Sequence, residues 1–469
     1  MSHLIVEISK YVIIILMAVY TYSCFAVFST WDPDSKRDML RNQNVLMFLL
    51  HLISFLILFM QKDFDVQIAG LYGLQVVLLA TTILAYTKLY PKVSRVVLNN
   101  MCMLLTVGFI MLTRLEYELA FKQFIFAAIG IGISLVVPII IKKLKVLSEL
   151  RYVYGGVGIV SLLAVLLLAK SSGGALLGFT FGGFSIQPSE FIKILLVFFV
   201  ASSFKYSLSF KNIVFTTAVA ALHVLILVYS TDLGAGLILF VVYLTMLYVA
   251  TKQPLYLLAG GVAGAGASVL GFKLFSHVKV RVQAWQDPFA NYDYGGYQVA
   301  QSLFAIATGG WLGVGLMQGE PEKIPVAESD FIFSAICEEL GLIFGICLIL
   351  ICISVYIMFL NIAMELKGMF YRLVALGLGT VYIFQVFVMI GGVTKFIPST
   401  GVTLPLVSYG GSSLLSTLIM FAIIQGLYIL REEEENEQRK KKLRREAGSR
   451  KAGRRAGNSG NDRQRAKGL

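Results

Sequence analysis

The residues of this chain best suited to chemistry gather in one stretch, from Phe275 to Gly341. It holds the acids Glu322, Asp330, Glu338 and Glu339, the cations Lys279, Arg281 and Lys323, and the amide Gln298. A carboxylate can take a proton from a hydroxyl, and a cation can offset a pyrophosphate. Asp330 precedes the apolar run Phe331-Ile332-Phe333. Continued as one helix, eight residues carry Glu338 about 80° around and about 12 Å deeper. Asp330 then stands at the mouth of a site with a buried acid below it, or else serves only as a helix-start acid favouring the dipole. Glu322 and Lys323 suit a polar substrate or each other. Arg281 and Lys279 suit a pyrophosphate or ordinary lipid head groups.

Three further stretches carry polar groups into apolar surroundings. Gln187-Pro188-Ser189-Glu190-Phe191-Ile192-Lys193 opens an apolar run. Pro188 and Glu190 suit a first helical turn, and Glu190 and Lys193 form an i,i+3 pair, but Lys193 is then carried into the membrane. Thr231-Asp232-Leu233-Gly234 puts an acid at another helix start. Lys395 to Ser413 contains Pro398 and Pro405 with Gly401, Gly410 and Gly411, and Ser408-Tyr409 at its end. This is irregular backbone, tolerated at membrane depth only where it is buried or lines a cavity.

The elements that position these groups are membrane helices. The chain is 57% hydrophobic and 14% charged, where a soluble domain has about 25% charged residues. Apolar runs near the length a bilayer demands recur at 11–28, 45–60 and 67–87. Ten more follow at about 98–113, 122–141, 152–169, 188–204, 213–230, 233–250, 254–275, 331–361, 372–394 and 408–430. The reading is an all-α polytopic membrane protein of roughly thirteen spans, with a large loop over 276–330. The short alternating segments of a membrane β-barrel are absent from the sequence.

Lys142, Lys143, Lys145 and Arg151 share one short loop, Lys205 and Lys211 a second, Lys252 the next, and Lys367 and Arg372 a later one. The tail from Arg431 adds 14 Lys/Arg against 7 Asp/Glu. The positive-inside rule puts these loops and the C-terminus in the cytoplasm and the 276–330 loop outside. The basic tail reads as a topogenic segment, with anionic head groups as a second reading, and nucleic acid is not a partner, since no fold accompanies the charge. Cys24, Cys102, Cys337, Cys347 and Cys352 all lie in apolar runs and read as buried small hydrophobes. No G-x-x-x-x-G-K-[ST] phosphate loop occurs, which gives no support to an ATP-driven motor.

Taken together, Gly182-Gly183-Phe184-Ser185-Ile186-Gln187-Pro188-Ser189-Glu190, Asp232-Leu233-Gly234, Tyr297-Gln298 with Gln301-Ser302, Ser329-Asp330-Phe331-Ile332-Phe333, Glu338-Glu339-Leu340-Gly341 and Leu404-Pro405-Leu406-Val407-Ser408-Tyr409-Gly410-Gly411-Ser412 resemble the SEDS family (FtsW, RodA and SpoVE) in the family's order. The resemblance covers about Leu98 to Arg431. It implies a ten-helix SEDS-like core over 98–431 with its large extracytoplasmic loop between core helices 7 and 8. An extension of about three transmembrane helices (1–97) precedes the core, and a basic cytoplasmic tail (432–469) follows it.

The resemblance also implies an activity: a peptidoglycan glycosyltransferase that polymerises lipid II at the outer face of a bacterial plasma membrane, for cell division or cell shape. Its partner would be a class B penicillin-binding protein, the transpeptidase. The family's essential aspartate falls on Asp330, as general base. Arg281, Gln298, Glu322, Glu338, Lys193, Ser408 and Tyr409 are the candidate substrate-binding residues. The cation that offsets the leaving charge is a protein group or a divalent ion, magnesium or manganese, and no residue spacing names a metal. The chain departs from the common pattern Pro-Glu-x-His-Thr-Asp, with Val326 for the Glu and Glu328 for the His. An alternative function is a flippase for a lipid-linked precursor, which wants polar groups through the bilayer rather than at one face. A third is a scaffold that recruits a synthase and leaves Asp330 dispensable.

Overall fold

The structure, a computed structural model, describes residues 2–143, 145–168, 178–181, 184–436 and 440. Gly182, Gly183 and most of the basic tail therefore lie outside the described residues. The first helices are α1 (Ser2–Ser29), α2 (Pro33–Gln61), α3 (Val66–Leu89), α4 (Arg95–Leu115), α5 (Tyr117–Ser134), α6 (Val137–Lys143) and α7 (Arg151–Leu168). A short antiparallel hairpin, β1 (Phe179–Phe181) and β2 (Phe184–Ile186), follows. Then come α8 (Pro188–Tyr206), α9 (Phe210–Tyr229), α10 (Leu233–Thr251), α11 (Pro254–Leu274), α12 (Ser276–Gln286), α13 (Tyr297–Gly309), α14 (Ile332–Glu365), α15 (Met369–Val393) and α16 (Gly411–Asn436).

Twelve helices among the described residues are long and apolar enough to cross a membrane. The thirteenth expected span, α8, carries Glu190, Lys193 and Lys205 in 19 residues and packs among α7, α9, α10 and α15. The expected outer loop is not structureless, since α12 and α13 occupy much of it. Helix starts follow local rules. Pro33, Pro188 and Pro254 open α2, α8 and α11, where the missing N–H costs nothing. Asp32, Asp65 and Asp232 cap α2, α3 and α10 by accepting the amides of Ser35, Gln67 and Ala235.

The axis of the bundle is α4, buried without interruption from Val96 to Thr113. A helix that is apolar all round belongs in the interior. Its polar residues are matched by the preceding helices. Asn100 Oδ1 accepts the Tyr20 hydroxyl at 3.0 Å and the Cys24 thiol at 3.2 Å, while Asn99 donates to Leu40 O and Gln43 Oε1. At its other flank Gln425 of α16 closes both backbone groups of Ser94. The five cysteines are buried and unpaired.

The helices before α4 are thus packed into the bundle: α1 lies against α14, and α2 against α4. Val6, at the start of α1, reaches Gly315 beyond α13, and Lys62 Nζ donates to Thr113 O at the end of α4. The start of α1, the end of α4 and the 309–331 segment therefore share one end of the bundle.

Replacing Asn100 with Leu strands the buried Tyr20 hydroxyl, a cost of about 1–3 kcal/mol. Asn100→Leu is expected to lower the detergent melting temperature, and Tyr20→Phe in the same chain to recover part of it. Unchanged melting of the single variant would count against this network.

Candidate functional site

Asp330 lies in a turn ahead of α14, not on the helix as its spacing to Glu338 implied. The turn is held from the other irregular stretch. Ser408 Oγ donates to Ser329 O at 2.6 Å and accepts the Leu404 amide at 2.9 Å, and the Tyr409 amide donates to Glu328 O at 2.8 Å. Gln123 of α5 fixes the far side of that stretch, donating to Ser408 O and accepting from the Gly410 amide. Gly108 of α4 lets it approach, because a Cβ there would lie 2.7 Å from Val407 O.

The carboxylate of Asp330 and the guanidinium of Arg281 converge on Gly401. A Cβ at Gly401 would sit 3.2 Å from Asp330 Oδ2 and 4.0 Å from Arg281 Nη2. Arg281 comes from α12, and its Nη1 donates to Ser399 O at 3.2 Å. Trp285, one turn on, donates to Lys395 O and ties α12 to the same segment. Burial pushes the Asp330 pKa above the ordinary carboxylate range, against the pull of the Ser329 hydroxyl and of Arg281. Burial also lowers the Arg281 pKa, opposed by the charges of Asp330 and Asp232.

Gly401 also lines a cavity of about 140 Å³ between α8, α10 and the start of α16. Glu190, Lys193, Asp232 and Tyr409 face it. Lys193 has two protein partners: Glu190 Oε2 lies at 2.8 Å and Gln385 Oε1 of α15 at 2.7 Å. Gln385 in turn donates to Thr403 O, and Ser416 donates to Glu190. Asp232 caps α10 and meets the Gln187 amide group, and burial raises its pKa against the Ala235 amide.

Of the candidate residues, the structure brings Asp330, Arg281, Lys193, Ser408 and Tyr409 to this cavity or to the segment that borders it. Ser408 serves there as a brace, since its hydroxyl is spent on two backbone groups. Gln298 stands on the exposed side of α13. Glu322 and Glu338 belong to a second cluster around Arg114: Glu322 lies 3.6 Å from Arg114, and Glu338 accepts the Glu320 amide at 3.2 Å. The physical reason is that α14 begins only at Ile332, so Asp330 is off the helix that carries Glu338, and Glu338 turns to the loop after α13, where the Glu320 amide meets it. Asp232 and Gln385 carry weight that the sequence reading did not give them. A lone Gln in the apolar run 372–394 was the available signal for the second.

The donor set does not gather a metal cage: among the described residues no three His, Cys, Asp or Glu side chains come together for an ion. The neighbour that the geometry gives Asp330 is a guanidinium.

The family model described as "Cell cycle protein" (FtsW/RodA/SpoVE) matches residues 95–433. The chain is 34% identical over 391 residues to "Peptidoglycan glycosyltransferase RodA" of Mycobacterium leprae, covering 78% of this chain and 84% of that protein. It is 32% identical over 340 residues to "Probable peptidoglycan glycosyltransferase FtsW" of Aliivibrio salmonicida, covering 68% and 82%. Since 78% of 469 residues is about 366 and the span 95–433 holds 339, the likeness to the mycobacterial protein extends past the core. A solved chain from a study titled "Structural coordination of polymerization and crosslinking by a peptidoglycan synthase complex" has the same fold, with a TM-score of 0.61 at 24% identity, over 72% of this chain and 98% of that one.

Gly401 has φ +74°, so an alanine there costs about 1–2 kcal/mol in backbone strain before its contact with Asp330 is counted. Gly401→Ala is expected to lower the melting temperature. Gly132→Ala, in α5 where a Cβ meets open space, is expected to keep or raise it. The same shift in both variants would refute the close approach at Gly401.

Proposed function

Because the chain belongs to the FtsW/RodA/SpoVE family, we propose that it is a multi-pass membrane peptidoglycan glycosyltransferase that polymerises lipid II, with Asp330 as general base. The observation that carries this reading is the convergence of a half-buried carboxylate and a guanidinium on the backbone of Gly401. A carboxyl whose pKa is raised but whose ionised form an adjacent cation still favours is suited to taking a proton.

Asp330 accepts the proton of the acceptor sugar hydroxyl. The freed oxygen forms a bond to the anomeric carbon of the donor, whose bond to the pyrophosphate oxygen breaks. The electron pair leaves with undecaprenyl pyrophosphate, and Arg281 offsets that charge. Lys193, Glu190 and Asp232 line the neighbouring cavity as polar partners for the head group. Arg281 is the positive charge that the protein supplies in this scheme.

The Lys and Arg bias of the short loops supports a bacterial plasma-membrane orientation with residues 276–330 outside and the C-terminus in the cytoplasm. The solved synthase complex with this fold supports a transpeptidase partner, a class B penicillin-binding protein. Residues 1–97 are the extension, 98–431 the polymerase core and 432–469 the basic tail.

Purified protein is expected to form glycan polymer from lipid II with its partner, and Asp330→Asn to lose at least about 100-fold in rate. Equal polymer from both would remove Asp330 as the base. Absence of polymer from either, with Asp330-dependent lipid II translocation in vesicles, would replace the enzyme with a flippase.

The pH profile supplies a second test. Activity requires ionised Asp330, so it falls as pH drops through a pKa above the ordinary carboxylate value. Arg281 pulls that pKa down, so Arg281→Gln is expected to move the acid limb to higher pH as well as lower the rate. An unmoved limb would uncouple the two groups.

A further inference from the structure

Between α13 and Asp330 the chain makes a tight loop over 310–323 against the break in α14. Gly341, at φ +87°, ends the first part of α14 and exposes its backbone. The loop takes up the exposed groups: Val314 and Gly315 donate to Glu338 O and Glu339 O, and Leu342 and Ile343 donate to Gly310 O and Trp311 O. No side chain fits between them. A Cβ at Gly319 would meet Glu339 Cγ at 2.8 Å, and one at Gly341 would meet Gly313 N at 2.5 Å.

Arg114, in the last turn of α4, locks this arrangement. Its Nε lies 2.7 Å from Glu339 Oε1, its Nη2 donates to Gly319 O at 3.1 Å, and Glu322 Oε2 lies at 3.6 Å. Glu339 is fully buried, and its second oxygen has no protein partner. A buried carboxylate held through one oxygen depends heavily on its cation. Two groups from the N-terminal helices close the same end. Lys62 donates to Thr113 O beside Arg114, and burial first and Arg114 second lower its pKa. Val6 of α1 packs on Gly315, where a Cβ would lie 3.1 Å from Val6 Cγ1.

We propose that Arg114 is a positioning residue that clamps the 310–323 loop to the α14 break and so sets the turn that carries Asp330, and that the N-terminal helices complete this clamp through Lys62 and Val6. The extension then has a task in the reaction beyond anchorage. This rests on the glycosyltransferase reading for its kinetic half only. The loop geometry stands without it.

The test uses the full chain in nanodiscs with its transpeptidase partner. Hydrogen exchange of the 313–323 amides is read alongside kcat and KM for lipid II in Arg114→Gln, Arg114→Lys, Arg114→Gln/Glu339→Gln and Lys62→Gln. Arg114→Gln is expected to speed exchange in 313–323 at least about tenfold. It should lower kcat by about tenfold with KM within about twofold, because the substrate cavity is untouched. The double variant, which removes the stranded acid, is expected to recover part of both, and Lys62→Gln to move both in the same direction by about two- to threefold.

Unchanged exchange in Arg114→Gln overturns the clamp. Faster exchange with unchanged kcat overturns the positioning role. A Lys62→Gln protein that matches wild type in both measurements removes the extension from it. If Arg114→Gln fails to fold, Arg114→Lys, which keeps the charge but not the planar fork, and Lys62→Gln decide the question by the same criteria. If wild type forms no polymer, the enzyme reading fails, while the exchange measurements still decide the clamp.

Discussion

A peptide group that leaves a helix inside an apolar bundle must find another partner, and most of this structure's function-bearing geometry follows from that demand. Two stretches leave helical geometry near one end of the bundle, 309–331 and 395–410. Each is satisfied in part by the other. Ser408 and Tyr409 hold the carbonyls of Ser329 and Glu328, so the residue next in line, Asp330, is placed by its neighbours' backbone rather than by its own side chain. The carboxylate faces Gly401 and is not needed to brace the turn. A residue held this way keeps its acid available to a substrate hydroxyl, which a general base requires.

Charge placement follows the same economy. Lys193 sits at 3% exposure because Glu190 and Gln385 meet it from two helices, and Gln385 passes the link on to Thr403 in the irregular segment. Arg281 reaches the same segment from outside the core helices, through Ser399. Gly401 is the point where the two sets meet: it lines the cavity, and a side chain on it would point at Asp330 and Arg281. Its lack of a side chain is therefore a geometric need as well as a conformational one. With a half-buried acid and a half-buried cation flanking it, the site is arranged to handle a proton on one side and a leaving anion on the other.

The second acidic cluster looks similar in composition and differs in role. Glu338 and Glu339 face backbone amides and Arg114, so they fasten the loop and do not open onto the cavity. The helices that precede the core join this fastening, since α1 and α2 supply partners to Asn99 and Asn100 along α4 and a contact at its C-terminal end. An apolar helix needs no partner to sit in a membrane. The polar matches are what tie α1 and α2 to this particular bundle.

The sequence by itself determined the elements. Runs of about 20 apolar residues specify membrane helices because each helix satisfies its own backbone, and Pro188 and Asp232 mark starts that local rules explain. It also singled out Asp330, Arg281 and Lys193 as charges in costly places, and the joint motifs pointed to the family. What only the tertiary structure decided is which of these charges meet. Glu338 looked like a partner below Asp330 because a continuous helix was assumed, but the helix starts only at Ile332, Asp330 stays in the turn ahead of it, and Glu338 accepts the Glu320 amide instead. Gln385, more than fifty positions beyond Asp330, reaches Lys193 only because α15 packs on α8. Spacing along one helix is a local property, whereas contact between helices is set by packing of the whole bundle, and no periodicity in a single segment reports it.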